Sequence, residues 1–322
     1  MKKTVLLLVS LVSLVFSTWA GAQSYPTKPI RMIVPFPAGG PADIFGRGLA
    51  QGLGDQLGQP VIVENVGGVG GVLGVDRALK SNPDGYTLGF NSGSTLSIAP
   101  FSFAKLPYDV KKDVGLITLV VRVPEVLAVH PSLPVNSLAE LIAYAKANPG
   151  KVNWATQGVA GSSHLVGELF KSLAGVDLFA VHYKGSTPAN VDIIAGRADV
   201  HFDGSSTSLA NIQGKRVKAI AHTGEKRLDS APELPSFAES GLPGMVVYSW
   251  YGIVTPAGTP QSVIGRLNTE MNAFVKTKDV MERMHRDGSE IGEMTPAQFG
   301  KMIADETELW RKVLAPLNLK LD

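Results

Sequence analysis

The chain has 322 residues, with 30 Lys and Arg against 28 Asp and Glu, and no cysteine. The lack of cysteine excludes a disulfide framework, a thiolate nucleophile and any zinc or iron–sulfur site built on sulfur. The near balance of charge argues against a nucleic-acid partner, because such binding uses a concentrated basic surface. A mature chain of about 300 residues is long enough for two domains, each with an ordinary core.

The first 22 residues have the pattern of a secretory signal peptide. Lys2 and Lys3 precede an uncharged apolar run at 5–16, and small residues at 20–22 provide a cleavage site. The run is short for a membrane span, and no later stretch of about 18 apolar residues follows it. We therefore predict an exported protein that is cleaved near Ala22 and, in a Gram-negative bacterium, diffuses in the periplasm.

Residues 23–124 begin with alternating β-branched apolar runs and amphipathic stretches. We predict strands at 31–36, 61–63 and 86–90 and helices at 41–57 and 74–80. Turns rich in glycine and proline separate these elements. The pattern is typical of a βαβαβ layer with a parallel sheet.

A second block starts near Pro124. We predict strands at 126–129, 152–156, 179–183, 200–202 and 217–221, and helices at 163–173 and 188–194. A further helix begins at the capping box formed by Ser137 and Glu140 and stops at Asn148. This block is therefore a second α/β unit of similar plan.

The remaining tail offers one apolar strand at 246–254 and then helices with apolar spacing. We predict that it returns to the first unit, because a lone helical pair has too little sheet to cover itself. The predicted lobes are 23–124 plus 248–322, and 125–247. The chain would cross between them near 123–125 and near 248–251. Two such segments make a hinge, with a ligand cleft between the lobes.

In open α/β sheets, ligands bind beyond the carboxyl ends of the strands. Each lobe has a glycine-containing turn at such a position. The candidate ligand-binding residues are Phe36, Pro37, Ala38, Gly39, Gly40 and Pro41 in the first turn, and Thr156, Gln157, Ala160, Gly161, Ser162 and Ser163 in the second. Neither turn contains Arg or Lys, so an anion would be held by backbone amides, hydroxyls and the partial positive charge of a helix N-terminus. For a single turn, a mere strand-to-helix connection is the commoner role. Two such turns across a cleft favour a carboxylate site.

Polar residues near other strand ends are further candidates: Asp43, Ser92, Ser94, Thr95, His164, Tyr183, Lys184 and Asp203. Each also has a simpler interpretation. Asp43 would cap its own helix, the hydroxyl residues would form a turn, and Asp203 would cap or bridge the lobes. Lys184 would be solvated, and His164 would be packed in the core.

Enzymatic interpretations find little support. The sequence from Gly161 to Leu165 lacks the closing glycine of a nucleophile elbow, no Walker lysine follows a glycine turn, and no His-Glu-x-x-His metal motif occurs. We expect no cofactor, no metal and no catalysis. Two alternatives stay open: an exported hydrolase that uses Ser162 or Ser163 with His164, and a ligand sensor for a membrane kinase.

Several motifs occur together along the mature chain. They are Pro29-Ile30-Arg31, Pro35-Phe36-Pro37-Ala38-Gly39-Gly40-Pro41-Ala42-Asp43, Leu57-Gly58-Gln59-Pro60-Val61-Ile62-Val63-Glu64-Asn65, Pro83-Asp84-Gly85-Tyr86-Thr87-Leu88, Gly161-Ser162-Ser163-His164-Leu165, Tyr183-Lys184-Gly185-Ser186 and Trp250-Tyr251-Gly252. With these motifs the chain resembles the solute receptors of tripartite tricarboxylate transporters, the Bug family.

The resemblance implies a type II periplasmic-binding-protein fold, with two α/β lobes that close on a small carboxylate. It implies that Phe36 to Pro41, with Asp43 behind, bind the ligand opposite Thr156 to Ser163, and that a membrane permease receives it. We expect the receptor to be a monomer. The chain departs from the family at the glycine turn Gly67 to Gly71 and the residue before it, where Val66 and Gly67 stand in place of the usual arginine and proline.

Overall fold

The protein is described by a computed structural model that covers residues 25–39, 41–159 and 161–314. The predicted signal peptide lies outside these ranges, as do Gly40 and Ala160. Within the described ranges, no helix combines the length and apolar character needed to cross a bilayer.

Lobe 1 begins with three parallel strands connected by helices. These are β1 (Ile30–Val34), α1 (Pro41–Leu57), β2 (Val61–Asn65), α2 (Val72–Leu79) and β3 (Thr87–Ser92), with β1 between β2 and β3. A π-helical turn (Ser94–Ile98) and two short helices, α3 (Ala99–Ser102) and α4 (Val110–Asp113), follow. Because the three strands are parallel, the loops at their carboxyl ends meet at one edge of the sheet.

The long strand β4 (Val114–Val129) is shared by both lobes. Its first part, from Val114 to Pro124, pairs with the antiparallel strand β9 (Tyr248–Pro256), which also pairs with β3. Its last part, from Glu125 to Val129, belongs to the sheet of lobe 2. The prediction of a separate strand at 126–129 is therefore wrong, because these residues are only the end of a longer strand.

Lobe 2 repeats the alternating plan. Its elements are α5 (Leu138–Ala147), β5 (Asn153–Thr156), α6 (Ser162–Ala174), β6 (Phe179–His182), α7 (Ser186–Ile194), β7 (Val200–Gly204), α8 (Ser205–Gln213) and β8 (Lys218–His222). Strands β6 and β7 both run parallel to β5, while β7 and β8 pair with β4 in the antiparallel sense. Helix α8 was not predicted.

The C-terminal part packs on the elements of lobe 1. It contains α9 (Gln261–Val275), α10 (Lys278–Arg286), β10 (Glu290–Ile291) and α11 (Pro296–Leu314). Helix α11 contributes Phe299 and Ile303 to a core of lobe 1 and Trp310 to the core of lobe 2. The main core of lobe 2 is built around Trp154 and Phe202. The helix therefore joins the hydrophobic cores of the two lobes.

Candidate functional site

The loop after β1 is exposed, and a side chain at the end of β2 stabilises it by a hydrogen bond. Pro37, Ala38 and Gly39 are exposed, while Phe36 is half-buried. Asn65, at the end of β2, donates a hydrogen bond of 3.1 Å from Nδ2 to the Phe36 carbonyl oxygen. Gly39 has φ +81°, a left-handed conformation that favours glycine. The loop thus presents backbone at the edge of the sheet where the parallel strands end.

Asp43 fixes the shape of this loop. The residue is only 4% exposed, and its side chain accepts hydrogen bonds of 2.9 Å from the Gly39 N–H and from Asn65 Nδ2. Arg47, one turn along α1, forms an ion pair with it at 2.9 Å. Burial favours the neutral acid, but the bonds from Arg47, Gly39 and Asn65 outweigh it and lower the pKa of Asp43. Asp43 is therefore an ionised side chain whose partners belong to the loop and its surroundings.

The hydroxyl residues after β3 form a tight turn. Thr95 is buried, donates a hydrogen bond of 2.9 Å to the Ser92 carbonyl and lies 3.3 Å from the Ser92 nitrogen. The hydroxyls of Ser92 and Ser94 lie 2.7 Å apart. Thr95 also supports the neighbouring glycine turn, because a side chain at Gly71 would come within 2.9 Å of it. The turns after β1, β2 and β3 thus pack against one another at one end of lobe 1.

The loop after β5 in lobe 2 leads directly into α6. Ser163 Oγ accepts a hydrogen bond of 2.8 Å from the Gln157 N–H, and Thr156 Oγ1 lies 2.8 Å from His182 Nδ1. The residue before α6 is Gly161, so no side chain caps the helix. The first N–H groups of a helix are an anion-binding feature when no side chain satisfies them.

Asp203 organises the ends of three lobe 2 strands. It is 2% exposed and accepts hydrogen bonds of 2.9 Å from Gln157 Nε2 and Ser186 Oγ. Asn190 and Thr207 donate to its other oxygen at 2.7 and 2.5 Å. All of these donors belong to lobe 2. The residue thus ties the α6 loop to the start of α7 and α8.

The remaining predicted residues of lobe 2 have separate surroundings. Tyr183 donates a hydrogen bond of 2.7 Å to Asp192, and Lys184 is exposed. His164 stacks on Trp154 with ring centroids 5.5 Å apart and meets His182 edge to face at 4.8 Å. Burial, aided by His182, lowers the pKa of His164 to about 4. His164 is therefore a packed, neutral imidazole at neutral pH.

The two lobes meet at a buried carboxyl group that sequence reasoning missed. Glu125, at the lobe boundary of β4, is 1% exposed and accepts a hydrogen bond from Ser249 Oγ on β9. Burial raises the pKa of this carboxyl group, and the nearby Ser162 side chain, at the start of α6, opposes that rise. Tyr251 stacks on Phe90 of β3 with ring centroids 5.2 Å apart, and burial, aided by the carboxyl groups of Glu125 and Asp203, raises the pKa of its phenol. The start of α6 thus lies next to the strands that connect the lobes.

One feature of the sequence could have pointed to Glu125 as a buried polar residue. It is a single acidic residue inside an otherwise apolar run from Val123 to Val129. A carboxyl group in such a run has to be buried with a partner or exposed on one face.

Within the described ranges, no cluster of three or more His, Asp or Glu side chains is arranged to hold a metal ion. A cavity of about 520 Å³ in lobe 2 is lined by residues such as Ser137, Leu209, Ile220 and Leu234. None of the predicted site residues lines it.

Comparison with known proteins decides the family. Residues 45–319 match the model of the tripartite tricarboxylate transporter family receptor, TctC. BugT of Bordetella pertussis is 38% identical over 301 residues, which cover 93% of this chain and 92% of BugT. The chain belongs to the TctC receptor family. The predicted resemblance is therefore confirmed.

Solved structures of similar proteins confirm the fold. The R. palustris protein Rpa4515, solved with adipate, is 30% identical and has a TM-score of 0.85, covering 92% of this chain and 100% of that protein. MatC from Rhodopseudomonas palustris, with bound malate, is 28% identical and has a TM-score of 0.82, covering 90% of this chain and 100% of MatC. TctC receptors are periplasmic binding proteins. The predicted two-lobed fold follows.

The family also bears on the hydrolase alternative. TctC proteins are solute-binding receptors and not enzymes, as predicted. In this receptor, Ser163 Oγ accepts the Gln157 N–H and His164 is packed against Trp154. The motif from Gly161 to Leu165 therefore forms the start of a helix beside the lobe boundary.

Proposed function

We propose that this receptor captures a small carboxylate, in particular a dicarboxylate, between its lobes and delivers it to a tripartite tricarboxylate transporter permease. The observation that carries the proposal is the α6 N-terminus, which no side chain caps, beside the lobe boundary. The adipate of Rpa4515 and the malate of MatC support this ligand class.

We assign ligand binding to the loop after β1 and to the loop after β5 with the start of α6. Hydrogen-bond donors are available from the exposed backbone at Pro37, Ala38 and Gly39 and from the first N–H groups of α6. Neither loop contains a Lys or Arg side chain. Such donors suit oxygen anions of more than one shape. Asp43 and Asp203 accept hydrogen bonds from the loops themselves, so we assign them to loop shape and not to direct ligand contact.

Closure would bend the two strands that connect the lobes. In β4 and β9, Val123 pairs with Ser249 and Pro124 with Tyr248. We place the hinge there, with lobes at 23–124 plus 248–322 and at 125–247. Ligand contacts made only when both loops touch the carboxylates would shift the population toward the closed state.

Calorimetry with adipate and malate tests the ligand class. We expect adipate or malate to bind and its uncharged diamide to fail, because the amide-rich loops recognise anionic oxygens. Small-angle scattering with the bound ligand should show a smaller radius of gyration. Binding of the diamide as tightly as the diacid would contradict the proposal.

A transport assay tests delivery. Proteoliposomes that contain a tripartite tricarboxylate transporter permease from the source organism should take up labelled ligand only when the receptor is added outside, on the periplasmic side of the permease. Uptake that does not depend on the receptor would favour the sensor alternative. N-terminal sequencing of the exported protein should begin at Gln23, which would test the cleavage site.

A further inference from the structure

Glu125 lies at the residue where β4 changes its partners. Two residues before it, Val123 pairs with Ser249 of β9, whereas Glu125 itself pairs with Gly204 of β7. Its backbone is anchored to the strand-end residue Thr223, whose hydroxyl accepts the Glu125 N–H at 2.9 Å. The side chain is therefore fixed between the lobes, beside the end of the strand that carries Asp203.

The carboxyl group of Glu125 has few partners for an ionised acid. Its Oε1 accepts the Ser249 hydroxyl, while Oε2 is buried and has no hydrogen-bond partner among the described residues. No Lys or Arg among the described residues forms an ion pair with the Glu125 carboxyl group. Charge buried without a cationic partner is strongly disfavoured, so this environment favours the neutral acid.

The groups that face Glu125 from neighbouring elements add to this preference. Asp203 of β7 is a second acid, and Tyr251 of β9 is a phenol whose own pKa is raised by burial and by both acids. Arg122, three residues earlier, is paired with Glu290, and His222 of β8 lies opposite Val126. Burial, opposed by the Ser249 bond and aided by Asp203, raises the pKa of Glu125 to about 8.

We propose that Glu125 is a positioning residue that has to remain uncharged for the α6 loop to accept a carboxylate. The inference rests on the proposed function, because it concerns the same ligand site. The Ser162 side chain, which lies near the Glu125 carboxyl group, belongs to the first residue of α6. A charge on Glu125 would place a second anion behind the N–H groups that are to hold the ligand, and like charges at close range repel.

The pH dependence has a clear sign. Below pH 8 Glu125 is neutral and the ligand is already ionised, so binding is at its maximum. Above pH 8 the receptor has to take up a proton to bind, and the dissociation constant should approach a rise of about tenfold for each pH unit. His164, with a pKa of about 4, and His182, whose pKa is also lowered by burial, do not change charge in this range.

The experiment is calorimetry with adipate and with malate from pH 6 to pH 9.5 on the wild-type receptor and on Glu125→Gln. Gln has the shape of the neutral acid but cannot ionise. We expect the dissociation constant of the wild type to rise about fivefold between pH 8 and pH 9, and that of E125Q to stay constant. E290Q is the matched control, because Glu290 lies at the same junction but is paired with Arg122. This variant should lose affinity above pH 8 as the wild type does.

Ser249→Ala gives an independent readout. The Ser249 hydroxyl stabilises the ionised form, so its removal should move the loss of binding to higher pH. A wild-type affinity that does not change up to pH 9.5, or a fall that E125Q retains, would overturn the inference while leaving the proposed function intact. If neither probe binds wild type or E125Q at any pH, the carboxylate proposal fails, and this inference fails with it.

Discussion

Gln157 Nε2 donates a hydrogen bond of 2.9 Å to Asp203 Oδ1, which joins the loop after β5 to the end of β7. In lobe 1, Asp43 has the matching place and accepts the Gly39 N–H at the same distance of 2.9 Å. One buried aspartate in each lobe therefore shapes the loop that we assign to the ligand. Each aspartate accepts hydrogen bonds from its own loop and holds that loop in shape, so the remaining backbone donors of the loop are available to an anion.

Asp203→Asn should weaken both the fold and the binding of a carboxylate. An amide cannot accept from all four donors that now surround the carboxylate, so one or more buried donors lose their partner. We expect a loss of about 2 kcal/mol in the free energy of unfolding and a dissociation constant raised at least about tenfold. Urea unfolding and calorimetry with adipate measure the two effects.

Asp199→Asn is the control for that variant. Asp199 accepts the Asn153 N–H at 2.7 Å, at the opposite end of the same strands. Its replacement should lower stability by about 1 kcal/mol but leave the dissociation constant unchanged. Equal losses of affinity in both variants would mean that Asp203 acts through general stability and not through the α6 loop.

Gly39→Ala tests whether the backbone of the first loop matters for binding. A side chain at Gly39 would meet nothing within 4 Å, but φ is +81°. The substitution should therefore cost about 1 kcal/mol through backbone strain alone. We also expect weaker binding, because relief of the strain would move the N–H groups of the loop.

Gly58→Ala separates the two effects. Gly58, just after α1, also has a positive φ, +66°, and also has open space around it. It should lose a similar amount of stability and bind the ligand as the wild type does. If G39A binds as tightly as G58A, the loop after β1 does not hold the ligand.

Much of the fold could be predicted from local pattern. The helix at 41–57 has the predicted bounds, and the parallel strands of each lobe lie where β-branched runs alternate with helical spacing. In these units each strand is followed by its own helix, so local periodicity contains most of the information. The candidate loops followed from the rule that ligands bind at the carboxyl ends of such strands.

The lobe boundary could not be predicted as well, because its pairing is not local. We predicted that a second block starts near Pro124 with a strand at 126–129, yet β4 passes through Pro124 without a break. A proline has no N–H, and Pro124 lies at the end of the pairing with β9, where the strand changes its partners. The partner of Glu125, Ser249, is 124 residues away in the sequence, so no spacing rule connects them. Helix α8, with a sequence rich in Ser, Thr and Asn, lacks the apolar spacing of a predictable helix.

His164 should make the receptor sensitive to acid. Its pKa is about 4 when folded and 6.5 as the ordinary value, so the unfolded chain binds a proton first as the pH falls. The contribution of His164 is complete above pH 6.5 and is lost as the pH falls toward 4, by up to about 3 kcal/mol. When the free energy of unfolding is measured with urea between pH 4 and 7, it should change less steeply with pH in His164→Phe than in the wild type. The slope that remains comes from other groups, among them His182 and His222, whose pKa values are also lowered. An unchanged slope in H164F would show that the imidazole is accessible to protons in the folded receptor.

Glu125 should have the opposite effect on stability, in a different pH range and without any ligand. Its pKa rises from 4.5 to about 8 on folding, so the unfolded chain loses its proton first as the pH increases. The stability that Glu125 contributes is complete below pH 4.5 and is lost as the pH rises toward 8. Between pH 4.5 and 7 the loss should be about 3 kcal/mol. Glu125→Gln should remove this part of the pH dependence of the free energy of unfolding. In urea unfolding, the stability of the variant should therefore increase relative to that of the wild type as the pH rises. Parallel curves for the two proteins would mean that Glu125 is ionised in the folded receptor at neutral pH.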